Sequence, residues 1–224
     1  MTTPSASPFV TLRHQRLAPT ESARRGVEFA AHADTRRTTR HFSPEPVPRA
    51  WIEHAIRAGG TAPSGAHQQP WTFVAVSDPE LKQRLREAAE EEERRFYADR
   101  ITPEWRAALE PLGTDAVKTH LTDAPWVVVL FRHSHGVNAD GSKRTFYYTQ
   151  ESCGIAAGLF ITAVHTMGLV TLTHTPSPMG FLGELLGRPA NEKAFLVLPV
   201  GYPAADAQVP AISRKPLAEI AVFR

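Results

Sequence analysis

One short basic segment of the sequence has the residue types that bind a phosphate group. Residues 36–40 (RRTTR) place three guanidiniums and two hydroxyls in five positions. Guanidiniums stay charged and donate paired hydrogen bonds to phosphate oxygens. The alternative interpretation is a solvated basic turn. Arg214, near the C-terminus, is a second basic point that could close over the same anion.

A carboxylate and a phenol share one face of the charged segment 90–97 (EEEERRFY). Glu93 and Tyr97 lie four residues apart, so a helix brings their side chains together. The carboxylate could hold an ammonium group while the phenol binds a carboxylate. The same segment also contains two pairs of opposite charge at this spacing, Glu90–Arg94 and Glu91–Arg95. Such pairs favour the other interpretation, an exposed helix whose charges face water.

Two further segments could line a site for a small molecule. Residues 61–67 (TAPSGAH) are small residues between a predicted helix and a predicted strand, where backbone amides can approach a ligand. Residues 172–176 (LTHTP) place hydroxyls at a predicted strand end, although threonine also has high β-propensity. Taken alone, each segment is equally compatible with an ordinary connection.

Other reactive side chains lack a suitable context. His133 and His135 are not accompanied by the cysteines or carboxylates of a metal site, and we predict no metal. The single cysteine, Cys153, excludes an internal disulfide and lies in an apolar helical segment, which predicts a core residue. The sequence contains no GxGxxG motif and no P-loop.

Composition indicates an ordinary globular protein of one domain spanning residues 1–224, with 42% hydrophobic and 21% charged residues. A formal charge of +2 and the lack of a basic run with interleaved aromatics argue against a nucleic-acid partner. The N-terminus lacks the apolar core of a signal peptide, and the apolar stretch 152–172 is interrupted by Gly, Thr and His. We therefore expect a cytoplasmic protein with no membrane partner.

Helical and strand patterns alternate along the chain after a Pro-, Ser- and Thr-rich segment, residues 1–20, that we expect to be an extended arm. Helices are predicted at residues 20–34, 49–58, 80–99 (with Asp78 and Pro79 as the helix start), from 102, and at 145–167. Strands are predicted at 71–76, 126–131, 169–173 and 195–200, and the continuous apolar run at 126–131 (WVVVLF) predicts a strand buried on both faces. This order indicates an α+β or α/β fold with a central sheet between helices.

Four segments together resemble the nitroreductase superfamily of FMN proteins: RRTTRHFS, APSGAHQQPW, LTHTP and the late Arg-Lys-Pro of residues 214–216. The match is closer to the reductive dehalogenase branch of that superfamily, the iodotyrosine deiodinases. It is carried by APSGAHQQPWTFV, EEEERRFY, Trp105, Lys118 and LLGRPANEKAFLVLPVGYP. The resemblance covers residues 9–221. Spacing among Glu93, Tyr97 and Lys118 is what points to this branch.

The resemblance implies an α+β fold with a nitroreductase-like central mixed sheet flanked by helices. It also implies a homodimer formed by exchange of arms, with FMN at the interface. The Thr175 hydroxyl would act in catalysis near flavin N5. The residues expected to bind FMN are Arg36, Arg37, Thr38, Arg40, Pro63, Ser64, Gly65, Thr173, His174, Thr175 and Arg214.

For the substrate, the resemblance implies that Glu93, Tyr97 and Lys118 bind the zwitterion of a halotyrosine, and that the Ala66 amide receives its phenolate oxygen. Opposite charges on Glu93 and Lys118 can neutralise both ends of an amino acid. An ortho-halogen lowers the phenol pKa from about 10, so donors at that oxygen select the halogenated phenolate. The expected activity is FMN-dependent reductive dehalogenation to tyrosine and halide. Separately, the charge of residues 96–121 and their position between helices predict a mobile lid that orders on substrate binding.

This chain departs from the animal members of the branch at two positions, with His174 in place of threonine and Met179 in place of cysteine. One alternative function is a general NAD(P)H-dependent nitroreductase or quinone reductase, which would not need the zwitterion-binding residues. Others are the flavin-cleaving branch that makes dimethylbenzimidazole and a non-catalytic FMN or halophenol binding module. No nicotinamide site can be read from the sequence, so a separate flavin or ferredoxin-type reductase is a candidate electron donor.

Overall fold

The computed structural model describes residues 9–224, which form two compact units divided between Thr35 and Arg36. All of the predicted site residues belong to the second unit. In the first unit, helix α1 (Pro19–Asp34) confirms the helix predicted from residue 20. Of the predicted arm, residues 1–8 lie outside the described residues, and residues 9–18 have no helix or strand.

The second unit is built on a four-stranded sheet with the strand order β1-β2-β6-β5. Its strands are β1 (Trp71–Val76), β2 (Trp126–His133), β5 (Val170–Thr171) and β6 (Glu192–Gly201). All three strand pairings are antiparallel. The parallel component of the predicted mixed sheet is an isolated bridge between Thr38 and Thr171. A separate hairpin pairs β3 (Gly136–Val137) with β4 (Lys143–Arg144).

The central strand β2 is buried on both faces, as its continuous apolar run predicted. Residues 127–131 are fully buried, and neighbouring side chains point to opposite faces. Val128 packs in a cluster with α2 (Arg49–Gly60) and α6 (Thr149–Thr166). Val127, Val129 and Phe131 pack in a cluster with α3 (Pro79–Arg95) and α7 (Gly180–Leu185). The sheet therefore lies between helices, which confirms the α+β fold.

Local capping explains where α3 and the first α-helix of the predicted lid begin. Asp78 accepts a hydrogen bond from the Leu81 N–H at 2.7 Å and starts α3, with proline in the first turn. A π-helical turn (Phe96–Arg100) continues α3, so the helix predicted at 80–99 is confirmed. Thr102 caps α4 in the same way, accepting from the Trp105 N–H at 3.2 Å. The remaining short helices are α4 (Pro103–Leu109), α5 (His120–Asp123) and α8 (Leu217–Ile220), with 3-10 turns at Gly65–His67 and Glu110–Leu112.

Cys153 lies fully buried in α6, and burial raises the pKa of its thiol to about 12, which confirms it as a core residue. Among residues 9–224, no helix is both long and apolar enough to cross a membrane. The same residues contain no group of three or more His, Cys, Asp and Glu side chains that could hold a metal ion.

Candidate active site

A basic cavity forms where residues 36–40 meet the segment before the C-terminus. Two hydrogen bonds join these distant parts of the chain. Arg37 donates to the Pro210 carbonyl, and Arg214 Nη2 donates to the Arg36 carbonyl at 2.5 Å. The cavity lining includes the predicted phosphate ligands Arg36, Arg37, Thr38, Arg40 and Arg214. The structure therefore brings together the two basic points that the sequence separates by more than 170 residues.

The charges in this cavity repel one another. Burial lowers the pKa of Arg36, and the positive charges of Arg214 and Arg37 lower it further. Burial also lowers the pKa of Arg40. Guanidiniums nevertheless remain protonated in proteins, so the protein holds these charges at a cost in free energy. A bound dianion would relieve that cost, and the donor set fits a phosphate monoester.

A second cavity adjoins the first, and both are lined by Arg40, Leu109, Thr114 and Thr173. The second cavity is lined by the three predicted zwitterion ligands, by strand-end residues and by two aromatic side chains: Glu93, Tyr97, Lys118, His174, Thr175, Phe96 and Trp105. The rings of Phe96 and Trp105 pack edge to face with centroids 4.8 Å apart. One cavity is therefore basic, while its neighbour combines opposite charges with an aromatic wall.

Glu93 contacts two other side chains that line the second cavity. Its Oε2 lies 3.4 Å from Lys118 Nζ, and its Oε1 lies 3.2 Å from His174 Nε2. Burial raises the pKa of Glu93, but the contacts with His174 and Lys118 outweigh it, so the pKa lies below its ordinary value. Burial lowers the pKa of Lys118, and Glu93 opposes that change. The site thus holds a largely buried ion pair with one charge of each sign.

Tyr97 and Lys118 are held by the segment that precedes α5. The Tyr97 hydroxyl donates to the Thr114 carbonyl at 3.2 Å, and burial raises the pKa of this phenol, so it remains a donor. Lys118 Nζ donates to the Thr114 hydroxyl at 3.3 Å and to the Asp115 carbonyl, and lies 5.9 Å from the Tyr97 ring centroid. The phenol and the ammonium group therefore converge on the same part of the cavity.

The predicted pairing of Glu90 with Arg94 is replaced by a contact that supports this site. Glu90 Oε1 accepts from Arg86 Nε at 2.7 Å and from the Lys118 N–H at 2.8 Å. Its carboxylate faces the segment that carries Lys118 and is shielded from water. Residue spacing along the helix does not predict this contact, because Lys118 is distant in sequence. The predicted Glu91–Arg95 pair is confirmed at 2.9 Å on the exposed face.

Comparison with known proteins agrees with this geometry. Residues 33–202 match the model of the nitroreductase family. The chain belongs to the nitroreductase family. It is 48% identical over 214 residues to an iodotyrosine deiodinase of Haliscomenobacter hydrossis, covering 96% of each chain. It is 43% identical to iodotyrosine deiodinase 1 of Homo sapiens, covering 95% of this chain and 74% of that protein.

A crystal structure of oxidized iodotyrosine deiodinase bound to FMN and 3-iodo-L-tyrosine has a similar fold. It matches with a TM-score of 0.75 at 26% identity, over 87% of this chain and all of that chain. The resemblance predicted from the sequence, to the dehalogenase branch of the nitroreductase family, is thereby confirmed.

Four predicted site residues line neither of the two cavities in this nitroreductase-family chain: Pro63, Ser64, Gly65 and Ala66. They form a tight turn in front of β1. A Cβ on Gly65 would lie 2.5 Å from the Tyr147 carbonyl oxygen, and Ala66 has a φ of 49°. Within one chain, the residues predicted to contact the flavin and the phenolate are therefore not brought together with the other site residues.

The strand-end threonines and His174 have different surroundings, because successive side chains of an extended backbone point to opposite sides. Thr173 and Thr175 are exposed at the cavity, whereas His174 is buried against Glu93. The predicted strand at 169–173 is shorter, ending at Thr171, but the backbone of His174 still pairs with that of Val197 through hydrogen bonds of 2.8 and 2.9 Å.

Sequence reasoning missed His120. This residue is 4% exposed, lines the second cavity and packs its ring against that of His174, with centroids 5.2 Å apart. Burial lowers the pKa of His120 to about 3, so it is neutral at physiological pH. The only local signal was its position two residues after Lys118, which does not distinguish a cavity residue from a surface residue.

Proposed function

We propose that this protein is an FMN-dependent oxidoreductase that reductively dehalogenates halotyrosines, such as 3-iodotyrosine, to tyrosine and halide. The observation that carries the proposal is the buried ion pair of Glu93 and Lys118, 3.4 Å apart, in a cavity adjoining a basic one. A reductase of simple nitroaromatics has no use for such a pair. The similarity to proteins named iodotyrosine deiodinase supports the same function.

The basic cavity would hold FMN. The arginines fit its phosphate because they are charged, Arg36 and Arg40 are partly buried, and Arg37 and Arg214 repel Arg36. Thr173 and Thr175 line the adjoining cavity, where they would face the flavin ring, with the Thr175 hydroxyl near N5. When bound and reduced, FMN would supply the two electrons of the reaction. The carbon–halogen bond breaks, the halide leaves with the bonding pair, and a proton takes its place on the ring.

The ion pair would bind the two charged ends of the amino acid. The substrate ammonium would contact Glu93, and its carboxylate would contact Lys118 and the Tyr97 hydroxyl. Each buried charge then exchanges one partner of opposite sign for another, so no charge is left uncompensated. The Ala66 amide would receive the phenolate oxygen, and donors there favour the more acidic halogenated phenol over tyrosine.

The reaction itself can be tested anaerobically on the FMN-loaded protein. After reduction of the flavin with dithionite, 3-iodotyrosine should reoxidise it with formation of one tyrosine per flavin. If nitroaromatics reoxidise the flavin and 3-iodotyrosine does not, the general nitroreductase function replaces this proposal. If neither compound reoxidises it, the protein is a binding module.

We propose that a homodimer completes the site, because Pro63–Ala66 must come from elsewhere to reach the flavin. Residues 153–164 of helix α6 are apolar except for Thr162, and Ile155 and Leu159 are 45% and 37% exposed on one face. Val222 and Phe223 of the C-terminal segment are also exposed. A second copy of the chain would cover this helix face and exchange the terminal arms.

Light scattering of the FMN-loaded protein should therefore give about twice the chain mass of 24.7 kDa. Leu159→Arg should yield monomers that bind FMN more weakly, since each site loses its partner's turn. A wild-type monomer that binds FMN with full affinity would contradict the dimer proposal.

We propose that residues 96–121 act as a lid over the substrate. None of the residues 96–117 is buried, whereas Lys118, His120 and Leu121 at the end of the segment are buried. Polar contacts hold the exposed part, among them Arg100 to the Glu92 carbonyl at 2.9 Å and Arg106 to the Tyr97 carbonyl at 3.0 Å. Segments with little buried apolar surface open at low free-energy cost.

Bound substrate should stabilise the closed lid. Trypsin cleavage after Arg100 and Arg106 should slow by up to about 100-fold when 3-iodotyrosine is present at about 100 times its Kd. Cleavage at sites in α1, such as Arg24, is the internal control and should not change. Equal cleavage of the lid with and without 3-iodotyrosine would disprove its closure on the substrate.

We also propose that a separate flavin or ferredoxin-type reductase supplies the electrons, in the cytoplasm. A reducing compartment agrees with the single, buried Cys153. Under anaerobic conditions NADH or NADPH alone should leave the bound flavin oxidised. Direct bleaching by either would contradict the need for a reductase.

A further inference from the structure

Two side chains from differently anchored parts of the fold hold Glu93. Lys118 belongs to the proposed lid. His174 follows β5, where its N–H donates to the Val197 carbonyl at 2.8 Å and its carbonyl accepts from the Val197 N–H at 2.9 Å. The sheet thus fixes the backbone of His174 and directs its ring at Glu93, with Nε2 3.2 Å from Oε1. His174 is the partner of Glu93 that does not depend on the lid.

The His174 ring acts on Glu93 as a neutral donor. Burial lowers the pKa of His174, the hydrogen bond with Glu93 acts in the opposite direction, and the charges of Lys118 and Arg40 lower it again. The neutral ring of His120 packs against its edge. A neutral imidazole with its hydrogen on Nε2 donates to a carboxylate without cancelling the negative charge. Glu93 therefore keeps that charge for the cation of a ligand.

We propose that His174 is a positioning residue that orients the Glu93 carboxylate toward the ammonium group of the substrate and thereby sets the preference for amino acids over simple halophenols. This inference rests on the proposed function. When Lys118 turns to the substrate carboxylate, the hydrogen bond from His174 remains and keeps Glu93 in one rotamer, so less entropy is lost on binding. The animal members of the branch have threonine at position 174. A threonine side chain ends at its γ atoms, whereas His174 reaches Glu93 with an ε atom.

The test compares two ligands on the FMN-loaded enzyme. 3-Iodotyrosine carries the ammonium and carboxylate groups, whereas 2-iodophenol carries neither. Dissociation constants are measured by quenching of flavin fluorescence. In His174→Leu, the ratio of the Kd for 3-iodotyrosine to that for 2-iodophenol should rise about tenfold or more, as expected for a lost hydrogen bond to a charged group.

His174→Gln is the matched variant, because its amide nitrogen occupies the ε position and can still donate to Glu93. It should return the ratio most of the way to the wild-type value. If His174→Leu does not retain FMN, His174→Asn takes its place, since its amide stops one atom short of Glu93 and should raise the ratio as leucine does.

An unchanged ratio in the leucine or asparagine variant would overturn the inference, and equal weakening of both ligands counts as an unchanged ratio. A rise that glutamine does not reverse would also overturn it. If the wild type dehalogenates 3-iodotyrosine while the ratio does not respond to these substitutions, only the role of His174 is wrong. If the wild type does not bind 3-iodotyrosine, the proposed function fails together with it.

Discussion

Glu93→Gln should weaken the binding of 3-iodotyrosine by about 100- to 5,000-fold, because removing one member of a largely buried ion pair costs about 3–5 kcal/mol. The substitution removes the charge that the substrate ammonium needs and leaves Lys118 without its partner at 3.4 Å. The affinity for 2-iodophenol, which has no ammonium group, should change far less. Quenching of flavin fluorescence measures both affinities on the same holoenzyme.

Glu91→Gln is the matched control, two residues away on the same helix. Glu91 is 46% exposed and pairs with Arg94 and Arg95 in water, where such contacts contribute little. Both ligands should bind this variant as they bind the wild type. Retention of 3-iodotyrosine affinity in Glu93→Gln would show that the ion pair does not bind an amino acid, and the general nitroreductase function would then be favoured.

Elements with strong local signals could be predicted from the sequence. The run WVVVLF predicted the buried strand β2, since apolar side chains on both sides require cover on both faces of the sheet. Asp78 and Pro79 predicted the start of α3 because capping is a property of adjacent residues. These features need only short-range physics, and the structure places them within a few residues of the prediction.

Elements that depend on distant pairing were predicted less well. The helix predicted from residue 145 begins at Thr149, after Tyr148 adopts a φ of 52°. Directly before the predicted start, Lys143 and Arg144 form β4, which pairs with β3. β5 is limited to two residues because β6 pairs with it only at Val170 and Thr171. A local pattern contains no information about the strand against which it will pair.

The same limit applies to the candidate site. Arg36 and Arg214 are 178 residues apart, and Glu93 and His174 are 81 apart. Their basic character suggested that the first pair binds one anion, and the resemblance to a known family implied the same, but neither resemblance nor pattern predicted the second contact. His174 was singled out as a departure from the family and expected to lie at the flavin. Its contact with Glu93 depends on side-chain direction after β5, which one sequence does not determine.

Arg36→Met should have opposite effects on the apoprotein and the holoprotein. Arg36 is a predicted phosphate ligand whose pKa is lowered by burial and by the charges of Arg214 and Arg37. Loss of hydrogen bonds to a charged group, worth about 1.5–3 kcal/mol, should weaken FMN binding by about 10- to 100-fold. Without FMN, the variant should melt higher than the wild type, by about 2–4 °C for each 1 kcal/mol of repulsion removed.

Thermal melts at zero and saturating FMN, with a fluorescence titration of FMN, separate these two effects. Arg49→Met is the control, because Arg49 is 80% exposed, pairs with Glu53 on α2 and lies outside both cavities. It should change neither FMN affinity nor the difference between the two melting temperatures. If Arg36→Met lowers the melting temperature of the apoprotein, Arg36 stabilises the fold without an anion. The inference that repulsion among its arginines marks the basic cavity as a phosphate site would then be wrong. Such a cluster should destabilise the protein until the dianion is bound.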